Sequence, residues 1–252
     1  MKKKWIAAGI TVSLGSVLAA QGCSSTPAGV DAGPDTGTDT GSPADAAADR
    51  KDSSMMEAAG PMCPTPVNLV NFMPPAYTPP RVPTSVCLPA GITGYWDNCR
   101  GPQATQPLCT TWTASNMACG ACIVSQRTDS AWGPLIMANG ITFVNIAGCL
   151  ALQGDMNCAK LDEDAAACTA ASCDSRCPVT DFFATDHVST LMEWQKCQQT
   201  AAAGSCATFE TKFAGQCRAD AGNGSAYAKC TNFTDFHTGY LLVAPMFCSG
   251  GG

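Results

Sequence analysis

The stretch GCLALQGDMNCAKLDEDAAACTAASCDSRCP, residues 148–178, decides the reading of the fold. Cys158, Leu161, Ala165, Cys168 and Ser172 recur at alternating spacings of three and four, which is the period of one helix face. The same stretch carries five cysteines, Cys149, Cys158, Cys168, Cys173 and Cys177. A helix that places sulfurs on its buried face is one that disulfides hold against its neighbours. The fold class that follows is mainly α: a small disulfide-rich helical domain.

Downstream, the helical period continues. Leu191, Trp194, Gln198 and Ala201 mark a second helix, and Cys206, Phe209, Phe213 and Cys217 put two rings and two sulfurs on a third, stapled near both ends. Phe236, Tyr240, Val243 and Phe247 predict a last helix, which Pro245 should kink or end early because proline removes a backbone donor. Upstream, Leu135–Ala138 and Ile141–Val144 flank Asn139-Gly140, the dipeptide best suited to a two-residue turn with positive φ at both positions, so one short β-hairpin is predicted. From Cys63 to roughly Thr111 the prolines Pro64, Pro66, Pro74, Pro75, Pro79, Pro80, Pro83 and Pro89 predict an irregular, extended wrap with no long helix or central strand.

The N-terminal part is of another kind. Residues 1–22 read as a signal peptide, with Met-Lys-Lys-Lys as a positive start and a short apolar stretch from Trp5 to Ala20. That stretch ends in Leu18-Ala19-Ala20-Gln21-Gly22-Cys23, which resembles the lipobox of bacterial lipoproteins, although Gln21 departs from its usual small residue. The resemblance implies that Cys23 becomes the lipidated first residue of the mature chain, and that Ser24 after it directs the protein to the outer membrane. The membrane is then a partner through the acyl chains alone, since several chains anchor stably where one does not. Residues 24–62, beyond the lipidated Cys23, contain no aromatic residue and a single β-branched aliphatic, Val30, and read as a disordered acidic linker. Aspartates recur every four residues from Asp31 to Asp39, but the alternate-position ligands and the closing glutamate of a calcium loop are missing.

Cysteine arithmetic separates these parts. The chain has 17 cysteines, and setting Cys23 aside leaves 16, an even number able to pair completely. Those expected to form disulfides are Cys63, Cys87, Cys99, Cys109, Cys119, Cys122, Cys149, Cys158, Cys168, Cys173, Cys177, Cys197, Cys206, Cys217, Cys230 and Cys248, which makes residues 63–252 a cysteine-rich domain. Such a density belongs to an oxidising compartment outside the cytoplasm. Eight bridges admit roughly two million connectivities, so the sequence leaves the pairing open. The cysteines and their neighbours from Cys119-Gly-Ala-Cys122 through Ser172-Cys173 and Cys177-Pro178 to Phe247-Cys248 resemble a group of uncharacterised cysteine-rich lipoproteins of predatory soil bacteria. That resemblance spans roughly residues 87–248 and implies a location without implying an activity.

Net charge is −6, and no cluster of Lys and Arg exists to hold phosphates, which argues against nucleic acid as a partner. Three chemistries deserve weighing. Cys119-Gly-Ala-Cys122 has the spacing of a thiol–disulfide exchange centre, which would require those two sulfurs to pair with each other near the surface at a helix start. Cys168, Cys173 and Cys177 lie close enough in sequence to share zinc, although an oxidising compartment favours disulfides. His187 and His237 each have an aspartate nearby, Asp186 and Asp235, but no nucleophile elbow accompanies them, and a histidine so placed reads as solvated or capping. A glycosidase would have to draw on aspartates such as Asp162 or Asp181, with no motif to choose a pair. Ile123 after the CxxC rules out covalent haem. No catalytic residue, metal or cofactor is therefore assigned. The expectation is a surface-anchored lipoprotein whose disulfide-stabilised domain binds an extracellular or periplasmic ligand or serves a structural role. The alternatives are an envelope-displayed hydrolase, which calls for a deep cleft lined by a histidine with convergent acids, and a thiol–disulfide oxidoreductase.

Overall fold

A computed structural model describes residues 63–219, 222 and 224–250; the signal peptide, Cys23 and the linker lie outside the described residues. The domain is mainly helical, with one small sheet, as the periodicity predicts. Helix α5, Met156–Cys173, is its central column. Asp155 caps its start by accepting from the Cys158 N–H at 3.0 Å, and an alanine-rich middle favours helix at little entropic cost. Cys158, Cys168 and Cys173 on α5 bond to Cys217, Cys206 and Cys197. Their Cα atoms stand 5.6, 5.8 and 6.0 Å apart, inside the ordinary span of a disulfide.

The last two of these bridges fasten α5 to α6, His187–Ala203, and to the residue before α7, Ala207–Phe213. The chain continues from α7 into a π-helical turn, Ala214–Arg218, which carries Cys217. The stripe Cys206, Phe209, Phe213, Cys217 is thus stapled at both ends to one helix, though its rings serve different clusters: Phe213 packs in the larger core and Phe209 against the smaller.

The hairpin forms where Asn-Gly places it. Strand β2, Leu135–Ala138, pairs antiparallel with β3, Ile141–Val144, from Leu135 opposite Val144 to Ala138 opposite Ile141. Asn139 and Gly140 take φ of 50° and 72°, and a Cβ on Gly140 would also run into the Val179 carbonyl. A third strand has no signal in the sequence: β1, Val124–Gln126, pairs parallel with β2. The connection between them is shorter than the dozen residues a parallel crossover usually takes, and the wrap braces it. Arg81 donates from Nε to Ala131 O, from Nη1 to Val124 O and Ala121 O, and from Nη2 to Asp129.

The wrap is extended from Cys63 only to Leu88, which shortens the predicted irregular part. Helices α1, Pro89–Cys99, and α2, Gln106–Ser115, follow it. Pro89 and Pro107 sit in the first turns of these helices, where a missing N–H costs nothing and a fixed φ helps, so they start helices rather than prevent them. The wrap itself is stapled at both ends, Cys63 to Cys177 and Cys87 to Cys119, with backbone donors from Val67, Arg81, Thr84 and Cys87 to the helices and loop it crosses.

Helix α3, Met117–Ile123, and α4, Ile146–Leu152, flank the sheet in sequence, and α8, Ala226–Thr231, precedes the terminal helix α9, Phe236–Cys248. Helix α9 does not end early at Pro245 but runs through it to Cys248. Beyond the proline its carbonyls have tertiary partners, Thr84 N–H on Phe247 O at 2.8 Å and Cys87 N–H on Cys248 O at 2.9 Å, and Cys248 is bonded to Cys122. Two buried clusters result. The larger centres on Tyr240, Phe247, Leu135, Leu150, Ile123 and Val243, the smaller on Trp194, Leu191, Ile141 and Val179 with five cysteines. Among the described residues, no helix is long and apolar enough to cross a membrane.

Candidate functional site

The residues singled out in the sequence are scattered. Cys119 bonds to Cys87 and Cys122 to Cys248, so the pair required for an exchange centre is not formed and that reading is overturned. The spacing failed as a signal because each sulfur reaches a different segment: Cys119 is buried toward the end of the wrap, while Cys122 faces the end of α9. Cys168, Cys173 and Cys177 go to Cys206, Cys197 and Cys63, which leaves no thiolate among them for zinc. The remaining bridges are Cys99–Cys109 and Cys149–Cys230, so all sixteen cysteines from Cys63 onward are paired.

His187 is buried rather than solvated, since it opens α6 with its ring inside: Nδ1 lies 2.8 Å from Thr180 O and the edge of Phe182 packs against it. Asp186 precedes it without a side-chain capping bond. His237 stacks on Trp96 with centroids 4.1 Å apart, and Asp235 caps α9 in a reciprocal box with Thr238. Each histidine thus has a packing role, and neither lines the cavity described next.

That cavity, about 1440 Å³, runs along α5 and is walled by α6, α7 and the sheet. Alanines form part of its lining, among them Ala165, Ala166 and Ala170 of α5 and Ala202 of α6. Trp132, Phe143 and Phe213 add rings to its walls. Four acids and two arginines also line it, and they fall into three groups. Glu163 accepts from the Thr78 N–H at 2.9 and 3.1 Å, which ties the wrap to α5. Asp174 accepts from Trp194 Nε1 at 2.9 Å and pairs with Arg127 at 3.4 Å. Asp162 on α5 and Glu210 on α7 share the field of Arg218.

Burial disfavours the ionised form of these acids. The Asp162 carboxyl is pushed up to about 7, chiefly by desolvation and then by neighbouring Glu210, with Arg218 opposing. Glu163 rises to about 6, again by burial, although the Thr78 amide works against the shift. Glu210 is raised by burial against the pull of Arg218. Near this cluster the Tyr77 phenol is held up to about 12 by its own burial and by Glu163 and Asp162.

Two donors on the cavity wall have no partner. Gln198, 2% exposed on α6, has an unbonded Nε2, and Arg218 has an unbonded Nε beside the ring of Phe213. Both atoms are sealed from the open cavity as well as unbonded, which is rare for polar groups in a folded protein. The sequence placed Gln198 on a helix stripe and named Asp162 only as one of several acids. Nothing in their spacing joins residues from three segments. Asp181, the other aspartate weighed there, is exposed and accepts from the Phe183 N–H two residues on. No group of metal-ligating side chains occurs among the described residues. No family model, curated protein or solved structure matches the chain.

Proposed function

We propose that this chain is an exported, lipid-anchored envelope protein whose disulfide-stabilised domain is a binding module, with its ligand taken in the cavity along α5. The observation that carries the reading is the cavity itself, whose aromatic and aliphatic walls carry a few acids and arginines, within a domain whose sixteen cysteines from Cys63 onward are all paired. Support for the anchor is the Gly22-Cys23 lipobox resemblance and the odd seventeenth cysteine, and a 39-residue acidic linker from 24 to 62 would hold the domain off the bilayer. The outer membrane is the proposed location, from Ser24.

The cavity gathers acids, one of the features a hydrolase needs, but neither histidine lines it. A binding role asks less of these residues: acids and arginines that fix orientation on mostly apolar walls. The test is to express the full chain in a bacterial host fed labelled palmitate and to fractionate the cells. Wild type should carry label and sediment with the envelope, while Cys23→Ala should carry none and appear soluble. An unlabelled, soluble wild type would refute the anchor.

A further inference from the structure

We infer that the cavity along α5 receives an organic cation, an amine on a bulky apolar body, whose charge is met by the carboxylates of Asp162, Glu163 and Glu210. The inference rests on the binding-module reading and gives it a ligand class. Four acids line the cavity against two arginines, which leaves two negative charges in excess when all are ionised. The ion pairs locate that excess. Among the described residues the ion pairs are Arg81–Asp129 and Arg127–Asp174, and only the second lies on the cavity wall. Asp162, Glu163 and Glu210 thus have no paired cation, and Asp162 and Glu210 share the field of one arginine, Arg218. A carboxylate kept from water without a counter-charge is costly, and these acids meet that cost by holding protons. Burial raises Asp162 to about 7 and Glu163 to about 6, and raises Glu210 as well. A ligand cation supplies the same positive charge.

The walls decide what kind of cation. Phe72, Trp132, Ile136 and the alanines of α5 give much of the lining an apolar character, which suits a hydrocarbon body. No group of metal-ligating side chains occurs among the described residues, so an inorganic cation is the less favoured occupant. The protein's own guanidinium groups show how a cation sits here. Arg127 lies 5.7 Å from the ring centroid of Phe143 and pairs with Asp174, while Arg218 lies 5.4 Å from that of Phe213 in the field of Asp162 and Glu210. An ammonium on an alkyl or aryl body has the same two needs, apolar or ring surface and a carboxylate. Size argues for a bulky body, because about 1440 Å³ exceeds the roughly 300–1,000 Å³ of most small-molecule sites. An anion of the same shape would meet an excess of its own sign.

The experiment titrates the full lipidated chain in non-ionic detergent by calorimetry with arylalkyl amines, phenethylamine to phenylhexylamine, and with the alcohols and carboxylates of the same bodies. At least one amine should bind saturably, its alcohol roughly tenfold more weakly and its carboxylate not at all. Glu210→Gln should weaken the amine roughly tenfold and leave the alcohol unchanged, a split that a damaged fold would not give. Asp162→Asn is a second variant read by the same split. Amine affinity should also rise from pH 6 to pH 8, because the bound cation displaces protons from Asp162 and Glu163. The groups facing these two are Glu210 of α7, Arg218 of the π-helical turn, Tyr77 of the wrap, Arg127 after β1, and Asp164 on α5 itself. Equal binding of amine and alcohol, or an amine indifferent to both variants, overturns the inference, as does saturable binding of calcium or magnesium in place of amines. Binding of alcohols or carboxylates without amines also overturns it, yet leaves the binding-module reading standing. Failure of all three series would take that reading down as well.

Discussion

The two buried clusters of this domain are made of different material. In the larger, Tyr240, Phe247, Phe236, Phe213, Leu135, Leu150 and Ile123 bring large apolar side chains together, with eight cysteines among twenty-two buried members. In the smaller, five of ten buried members are cysteines, and Trp194 is the one buried ring. The first holds by burial with sulfur as a supplement. The second leans on its bridges, because α5 and α6 meet there across buried alanines that bring little apolar area to the seam. Disulfides supplement packing where the side chains are small.

That contrast can be broken by mutation. Phe247→Ala, which empties a fully buried site in the larger cluster, should cost about 3–5 kcal/mol. Removing Cys168–Cys206 by a double Ala substitution, a separation of 38 residues, should cost about 4 kcal/mol in the chain-entropy picture. The shorter Cys99–Cys109, a separation of 10, should cost about 3 kcal/mol. Guanidinium unfolding reads all three. The contrast sharpens if loss of Cys168–Cys206 also abolishes ligand binding while loss of Cys99–Cys109 leaves it intact, and it fails if the two losses are alike.

Acidity provides a second probe of the cavity. Asp162 and Glu163 are raised toward 7 and 6, with Glu210 and Asp174 raised as well, so the folded state keeps protons that the unfolded chain has released. Their contribution to stability is therefore complete below the unfolded carboxyl values near 4 and is lost as pH rises through 6 to 7. The groups facing Asp162 are Glu210 and Glu163, which sharpen the loss, and Arg218, which moderates it. The urea midpoint should fall between pH 5 and pH 8, and Asp162→Asn should flatten much of that slope. An unchanged slope in the variant would place the titration elsewhere. Asp235, lowered by its cap on α9, works in the opposite sense and only at more acid pH.

Smaller effects test the hairpin and the braced loop. Gly140→Ala should cost about 1–3 kcal/mol, from strain at positive φ and from the Val179 carbonyl that its Cβ would meet. Asp129→Asn should cost less than about 1 kcal/mol, because its pair with Arg81 is partly exposed and Arg81 keeps its carbonyl partners.

How far the sequence reaches depends on how local each signal is. The Asn139-Gly140 turn and the α5 stripe are legible because their causes lie within a few residues. Strand β1 is not, since Val124-Ser-Gln126 is too short to alternate and becomes a strand only beside β2. Helices α1 and α2 are hidden by reading the proline-rich stretch through Pro89 as an irregular wrap, when Pro89 and Pro107 stand in first turns and act as starters. The disulfide map is a tertiary property, and Cys119 and Cys122 are its clearest case: neighbours in sequence with partners 32 residues before one and 126 after the other. The cavity is less legible still, because Asp162, Glu210 and Arg218 line it from separate elements.

The most direct measurement is peptide mapping of the exported, unreduced protein by mass spectrometry, with cleavage between Cys119 and Cys122. The account predicts Cys119 linked to Cys87, Cys122 linked to Cys248, and no free thiol from Cys63 onward. A peptide in which Cys119 and Cys122 are joined to each other, or free thiols at Cys168, Cys173 or Cys177, would contradict it and return the cysteines to the centre of the function.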